Sequence, residues 1–322
     1  MDSYYFSKLL SSLSSLTEQQ RKKLIYTLNI CTEQGVPESL KKVSKKNLKC
    51  PHCKGKHVVR NGKANGLQRY LCNSCSRTFN MLTGTPLSNL RHKERWKAFS
   101  KTLIEGQSIR KSAKTCKVNR NTSFLWRHRF LKLPANMQAK KLSGIAEADE
   151  MYLLKSMKGQ KNLNRKPRKR GGKATKRGIS KEQACILIAR DRAGHTVSTY
   201  MESFDDKSLK HTLKPRLSKG VLLCTDGLNV YKKFTRQANI SHQPLNTKAG
   251  IRTIDKVLHI QNVNAYDSRF RKWMLRFNGV ATKYLQNYIG WFRIIDAISN
   301  HIKPKNIIAA AMGKNYQYLT MT

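Results

Sequence analysis

The sequence predicts a multi-domain α/β protein: N-terminal helices, a cysteine-knuckle ribbon, a helix-turn-helix, then a mixed sheet flanked by helices. Three observations predict it. Four cysteines stand as two pairs, Cys50-Pro-His-Cys53 and Cys72-Asn-Ser-Cys75, with eighteen residues between them. A basic helical block follows over 92–133. From Ile145 the pattern changes to three strands in series, a helix and a buried apolar strand. The boundaries read as an N-terminal helical segment at 1–45, the ribbon at 46–82 and the helix-turn-helix at 90–134. A sheet domain follows at 142–300, with a basic insertion at 155–181, and then a tail at 301–322.

Composition narrows the partners. Among 322 residues, Lys and Arg number 64 against 18 acids, a formal charge of +46. A fold carrying that much like charge repels itself unless a polyanion neutralises it, so nucleic acid is the first candidate. No apolar run approaches the roughly 20 residues that span a bilayer, and the N-terminus lacks a basic stretch followed by an apolar one. The expectation is a cytoplasmic protein with no membrane partner. Cys31, Cys116, Cys185 and Cys224 sit in apolar contexts and read as reduced core residues.

The elements follow in order. Thr17-Glu18-Gln19-Gln20 resembles a capping box ahead of Leu24, Ile25, Leu28 and Ile30. Two C-x-x-C knuckles at this spacing bring four thiolates, Cys50, Cys53, Cys72 and Cys75, around one structural Zn²⁺. The segment between them reads as a hairpin, out along Val58-Val59-Arg60 and back along Gln68-Arg69-Tyr70-Leu71. Two disulfides or unrelated free thiols are the alternative. Thr83 to Leu87 is a turn. Trp96, Phe99, Leu103 and Ile104 mark one helix face, and Ser108 caps a short helix through Ala113. After a turn at Lys117-Val118-Asn119, Asn119 or Asn121 caps a helix with Phe124, Leu125, Trp126 and Phe130. Arg120, Arg127, His128 and Arg129 lie between those apolar residues. Short helix, tight turn and basic helix form a helix-turn-helix pattern, although a plain helical hairpin fits the spacing equally. The net charge favours DNA.

Strands are expected at Ile145–Leu154, Cys185–Ala189, His195–Met201 and Gly220–Thr225, with a helix at Ser208–Leu217 and further helices from about Val263 and Thr282. Lys155 to Lys181 is too polar to pack and reads as a flexible arm.

Acids are scarce, so their positions carry information. Glu147, Asp149 and Glu150 fall on one strand, where alternation puts Glu147 and Asp149 on one face and Glu150 on the other. Asp226 ends the most apolar strand, where open α/β sheets place ligands. Before Gly227 it also fits a plain turn. Paired with Asp149, it forms half of a divalent-cation site. Mg²⁺ needs a few hard oxygen ligands, and two ions about 4 Å apart suit phosphoryl transfer.

Glu147-x-Asp149-Glu150-x-Tyr152, Thr225-Asp226-Gly227 and His259-x-x-x-Val263-Asn264-x-Tyr266-x-Ser268-x-x-x-x-Trp273 resemble insertion-sequence transposases of the ISXO-like type. So do Phe277-Asn278-Gly279-Val280-Ala281-Thr282-Lys283-Tyr284-Leu285 and Tyr288-x-x-Trp291, so the likeness runs from Cys50 to Phe292. The resemblance implies an RNase H-like catalytic domain and a triad of Asp149, Asp226 and Asn264 holding two Mg²⁺ or Mn²⁺. Many relatives carry Glu at the third position, whereas Asn264 contributes an amide oxygen and one negative charge fewer. Asp267, one turn on, is the rival third ligand, and Asn264 also suits a helix cap. Arg271, two turns after Asn264, and Lys272 match the basic position that contacts DNA in the family. Glu150 and His259 are further candidates. Trp273 and Trp291 read as core.

The function so implied is DNA transposition. The ribbon and helix-turn-helix bind terminal inverted repeats, with Arg120, Arg127, His128 and Arg129 facing DNA. The sheet domain performs Mg²⁺-dependent hydrolysis and strand transfer, as a homo-oligomer on DNA at the nucleoid. The alternatives are a non-catalytic zinc-ribbon regulator, an inactive transposase copy, and an RNA-processing enzyme on the same fold.

Overall fold

The computed structural model describes residues 2–21, 23–24, 48–163, 166–167, 172–176, 178–246, 249–298 and 302–313. Cys31 and most of Arg165 to Gly172 lie outside them, so the fourth scattered thiol and the centre of the expected arm have no structural counterpart here. The apolar positions Ile25, Leu28 and Ile30 lie outside them too.

At the N-terminus, α1 spans Ser3–Ser11. The capping box is present: Gln20 N donates to Thr17 Oγ1, and Thr17 N donates to Gln20 Oε1 at 2.9 Å. The ribbon is a three-stranded antiparallel sheet of β1 (Val58–Ala64), β2 (Leu67–Cys72) and β3 (Thr78–Phe79). Its register pairs Val58 with Cys72 and Arg60 with Tyr70, then breaks at a bulge before Lys63.

Three helices come next: α2 (Trp96–Ile104), α3 (Ile109–Thr115) and α4 (Arg120–Leu131). Ser108 Oγ accepts from Lys111 N as the α3 cap. Asn119, rather than Asn121, caps α4, its Oδ1 accepting from Asn121 N at 2.8 Å.

The central sheet has five strands in the order β6-β5-β4-β7-β8. They are β4 (Ile145–Leu154), β5 (Gln183–Asp191), β6 (Thr196–Met201), β7 (Leu222–Thr225) and β8 (Ser241–Pro244). β4 pairs antiparallel with β5 and parallel with β7; β7 runs parallel to β8. The continuous apolar run of β5, Ala184 to Ala189, is buried throughout because helices cover both faces of the sheet. On one face Ala146, Ala148 and Leu187 pack against α5 (Asp206–Thr212) and α6 (Asn229–Ala238) through Leu209, Tyr231 and Phe234. On the other, Met151, Ile186 and Ile188 meet α7 (Gln261–Leu275) and α8 (Leu285–Ile298). This three-layer mixed sheet is the predicted fold class. The predicted helix at Ser208–Leu217 is shorter than expected. Asp205 caps it, and Pro215 turns its end into a single 3₁₀ turn.

The stripe Tyr266, Phe270, Trp273 and Phe277 is buried as its spacing requires. It belongs to one apolar interior that also holds Trp96, Phe99, Trp126, Phe130, Trp291 and the C-terminal α9 (Pro304–Ala311). Trp291 Nε1 donates to Leu103 O at 3.0 Å across that interior. Among the described residues, no helix is long and apolar enough to cross a membrane.

Candidate functional site

The two knuckles are built alike. Cys50 N donates to Gly55 O and Lys54 N to Cys50 O, both at 2.9 Å; Cys72 N donates to Arg77 O and Ser76 N to Cys72 O at 3.0 and 2.8 Å. Lys54 and Ser76 both adopt positive φ, 64° and 55°. Each loop thereby turns its two sulfurs inward. Cys50 Sγ lies 3.7 Å from Cys75 Sγ, and Cys53 Sγ 3.6 Å from Cys72 Sγ. A tetrahedron with ~2.3 Å Zn–S bonds has edges of about 3.8 Å, so the four sulfurs fit one Zn²⁺. They are too far apart for the ~2.05 Å disulfide bond, and the described cysteines are all free. Cys116, Cys185 and Cys224 are buried, as expected of core thiols.

The second site lies where β7 stops. β7 pairs with β4 only as far as Glu147 opposite Cys224. Beyond that point the β7 side of β4 is open, and Asp226 turns across the gap. The register places Asp149 toward α7 and Glu150 toward α6. Both carboxylates nevertheless reach Asp226 around the free edge: Asp149, Glu150 and Asp226 each offer an oxygen within 4.8 Å of the others. The cleft beside them, about 510 Å³, is lined by Asp149, Asp226, Arg252, Ile260, Gln261 and Asn264. Octahedral Mg²⁺ holds oxygens at ~2.1 Å, hence about 3 to 4 Å from one another, so this donor set suits a hard divalent cation after small side-chain rotations.

Electrostatics mark the same spot. Burial, opposed by the Glu150 N–H and reinforced by Asp226, pushes Asp149 up to about 6. Burial and then the two aspartates push Glu150 up to about 8. Glu150 Oε2 accepts from Tyr231 OH at 3.1 Å. Asn264 sits in the first turns of α7, and its side chain makes no hydrogen bond among the described residues. Asp267, the rival, lies deeper. It is only 9% exposed, its Oδ1 has no partner, and burial followed by the Asp149 charge raises it to about 7. It does not line the cleft; Asn264 does.

His259 lies outside the cluster. Its Nδ1 faces Glu147 Oε1 at 3.4 Å, within a network that includes Arg192. Arg271 and Lys272 are exposed on α7, and Arg271 Nη1 donates to Tyr152 O at 3.2 Å.

The helix α4 departs from expectation. Its buried stripe is Ser123, Trp126, Arg127, Phe130 and Leu131. Arg127 is therefore interior: it donates to Gln107 O at 2.6 Å and Ser112 Oγ at 3.2 Å and lies over the Trp291 ring at 5.1 Å. Arg129 spends its guanidinium on Pro86 O and on Ser88 O. His128 is stacked on Tyr284. Of the four basic residues expected to face DNA, Arg120 alone stands exposed, beside Asn121, Phe124 and Leu125. Sequence reasoning also missed Arg252 in the cleft and Tyr231 behind Glu150. Arg252 sits in a patternless loop, and the Tyr231 hydroxyl becomes visible only once α6 is docked.

The described residues thus hold two separate clusters, a four-cysteine ribbon and a carboxylate group of Asp149 and Glu150 on β4 with Asp226 just past β7. Residues 141–294 match the family model of the ISXO2-like transposase domain, and residues 45–76 match the InsA N-terminal domain. The chain is thus similar, over 141–294, to ISXO2-like transposase domains, and ahead of that stretch to an InsA-type zinc ribbon. It is 25% identical over 249 residues to an uncharacterized protein in transposable element ISH50 of Halobacterium salinarum, covering 76% of this chain and 84% of that one. Two solved structures align at 10% identity. The first, a pre-cleavage Mos1 transpososome, covers 70% of this chain and 78% of the other, with TM-score 0.24. The second, a Mos1 transposase paired-end complex with left transposon end, covers 68% and 79%, with TM-score 0.18. At those scores the likeness carries no weight for the fold, which rests on the strand order above.

Proposed function

We propose that this protein is a DNA transposase that binds the terminal inverted repeats of its element and performs divalent-cation-dependent cleavage and strand transfer. The clustering of Asp149, Glu150 and Asp226, with Asn264 lining the same cleft as the two aspartates in a chain of charge +46, carries the reading. Asp149 and Asp226 hold Mg²⁺ or Mn²⁺, with Asn264 giving a neutral amide oxygen and Glu150 a further carboxylate at the edge of the cluster. When bound, the cations stabilise the charge that develops on the attacked phosphate and the leaving oxygen. The four cysteines hold one structural Zn²⁺.

The domain roles follow. The ribbon at 46–82 and the helices at 90–134 bind the ends, with exposed Arg120 and its neighbour Asn121 offered to base edges and surface lysines to phosphates. The domain at 142–300 performs the chemistry, and Arg271 and Lys272 hold the substrate backbone along α7. Hydrolysis at the element end breaks a P–O3′ bond and leaves a 3′-hydroxyl. That hydroxyl then attacks a target phosphodiester, forms a new P–O bond and expels the target's own 3′-oxygen. No protein nucleophile takes part. Joining two ends calls for a homo-oligomer on DNA, acting in the cytoplasm at the nucleoid.

The test is cleavage of DNA carrying the element ends with Mg²⁺ or Mn²⁺. Asp149→Asn and Asp226→Asn are expected to lose at least 10³-fold in cleavage, on the order of a removed catalytic group, while still binding ends. A variant that cuts at the wild-type rate overturns the assignment. The neutral third position favours one competing reading, a copy that binds without cutting. Asn264→Glu separates the two: an active enzyme keeps or gains activity, and Asn264→Ala loses it. Failure of all forms to cut while binding normally identifies a regulator.

A further inference from the structure

We infer that Glu147 is a positioning residue that sets α7, and through it Asn264, against Asp149. The inference rests on the cation-site reading above and adds what holds that site in register. Glu147 is fully buried, yet three donors from two separate elements meet it. Arg192, from the turn after β5, pairs with Oε1. Asn262 Nδ2 donates to the same oxygen at 2.9 Å, and His259 Nδ1 lies 3.4 Å from it. Oε2 accepts the backbone N–H of Val263 at 3.0 Å.

Those last contacts solve a local problem. The residue before α7 is Ile260, which has no side chain able to cap the helix. Its first N–H groups are orphans unless something else meets them. His259 Nδ1 accepts from Gln261 N at 3.3 Å, and Glu147 reaches from the neighbouring strand to meet Val263. A carboxylate there is favoured by the helix dipole. Val263 immediately precedes Asn264, and Glu147 lies two residues from Asp149 on the same face of β4. One strand thus presents one cleft oxygen directly and fixes the position of another through a helix N-terminus. Arg192 compensates the Glu147 charge and is itself held by donating to Val257 O at 2.7 Å. Arg192 and Asn262 occupy Oε1, so this acid is committed to the helix while Glu150 is the one turned to the cluster.

The geometry makes Glu147→Gln a sharp probe. Oε1 and Oε2 both accept, so an amide nitrogen at either position faces a donor. The experiment measures Mn²⁺ binding to the full-length protein by electron paramagnetic resonance, without DNA, alongside hydrogen exchange. Glu147→Gln is expected to weaken Mn²⁺ binding about 10-fold, the usual scale for a group supporting a ligand. It is expected to speed exchange at residues 261–264 and not in β5. Combined with Asn264→Ala, it is expected to add less than about twofold to the loss from Asn264→Ala alone, because the two act through one contact. Additive losses, or unchanged Mn²⁺ affinity, overturn the inference. If Glu147→Gln does not fold, Asn262→Ala carries the same test with a smaller loss in the same direction. Asp149→Asn serves as control: if it leaves Mn²⁺ binding intact, the cation-site reading itself has failed, a result distinct from failure of Glu147 alone.

Discussion

His128 lies nearly flat against Tyr284, ring centroids 3.9 Å apart, with its Nδ1 3.1 Å from the Asn287 amide nitrogen. Burial, aided by Arg127 and Lys283, holds its pKa down to about 4 from 6.5. The folded state therefore binds fewer protons than the unfolded chain between those two values. Stability from this group is complete above pH 6.5 and is lost as pH falls toward 4. Thermal melts across that range should show a slope that His128→Gln flattens; an unchanged slope refutes the assignment. Arg127 shows why basic residues alone mislead. Its neighbours Trp126 and Phe130 are buried, and position 127 shares their side of the helix. Phase, rather than charge, decides which arginine meets solvent. Phe124 and Leu125 hid that phase because they are apolar yet exposed.

At the scale of elements, β4 was readable to the residue because its alternation and its acids coincide. Ile145 to Leu154 is both the predicted and the observed strand. β8, Ser-His-Gln-Pro, carries no strand signal; it pairs because β7 supplies an open parallel edge. The carboxylate cluster was half legible. Asp149 and Asp226 stood out by scarcity, whereas the approach of Glu150 depends on β7 ending early, which no spacing reveals. Helix α8 holds a sharper constraint. A Cβ on Gly290 would meet Pro134 O at 2.5 Å and Ala135 Cα at 2.6 Å, backbone atoms that cannot swing aside. Arg293, one turn on and buried, fixes the same segment by donating to Met137 O at 2.8 Å and Pro134 O at 3.1 Å. Gly290→Ala should cost about 3 kcal/mol, the upper range for overpacking, read as a lower denaturant midpoint at unchanged slope. A neutral result would mean the helix can lift off.

Over the whole molecule, charge and zinc give separate handles. If the surplus of 64 basic over 18 acidic residues serves DNA, log affinity should fall against log salt with a slope of about −0.9 per phosphate neutralised. A flat response would assign the charge elsewhere. Metal analysis should find one zinc per chain, lost in Cys72→Ser.

The shared interior has a wider consequence. Ribbon-side Leu67, Leu82 and Leu87, the indoles of α2 and α4, and the aromatics of α7 and α8 all belong to one cluster. Cutting the polypeptide near residue 140 would strip both pieces of their cover and leave Trp126 and Trp291 wet. Such halves should precipitate when expressed apart and regain solubility when produced together. Recombination between distant copies is then constrained as well: a crossover midway through the gene would yield mismatched surfaces, so the two halves travel through evolution as a matched pair.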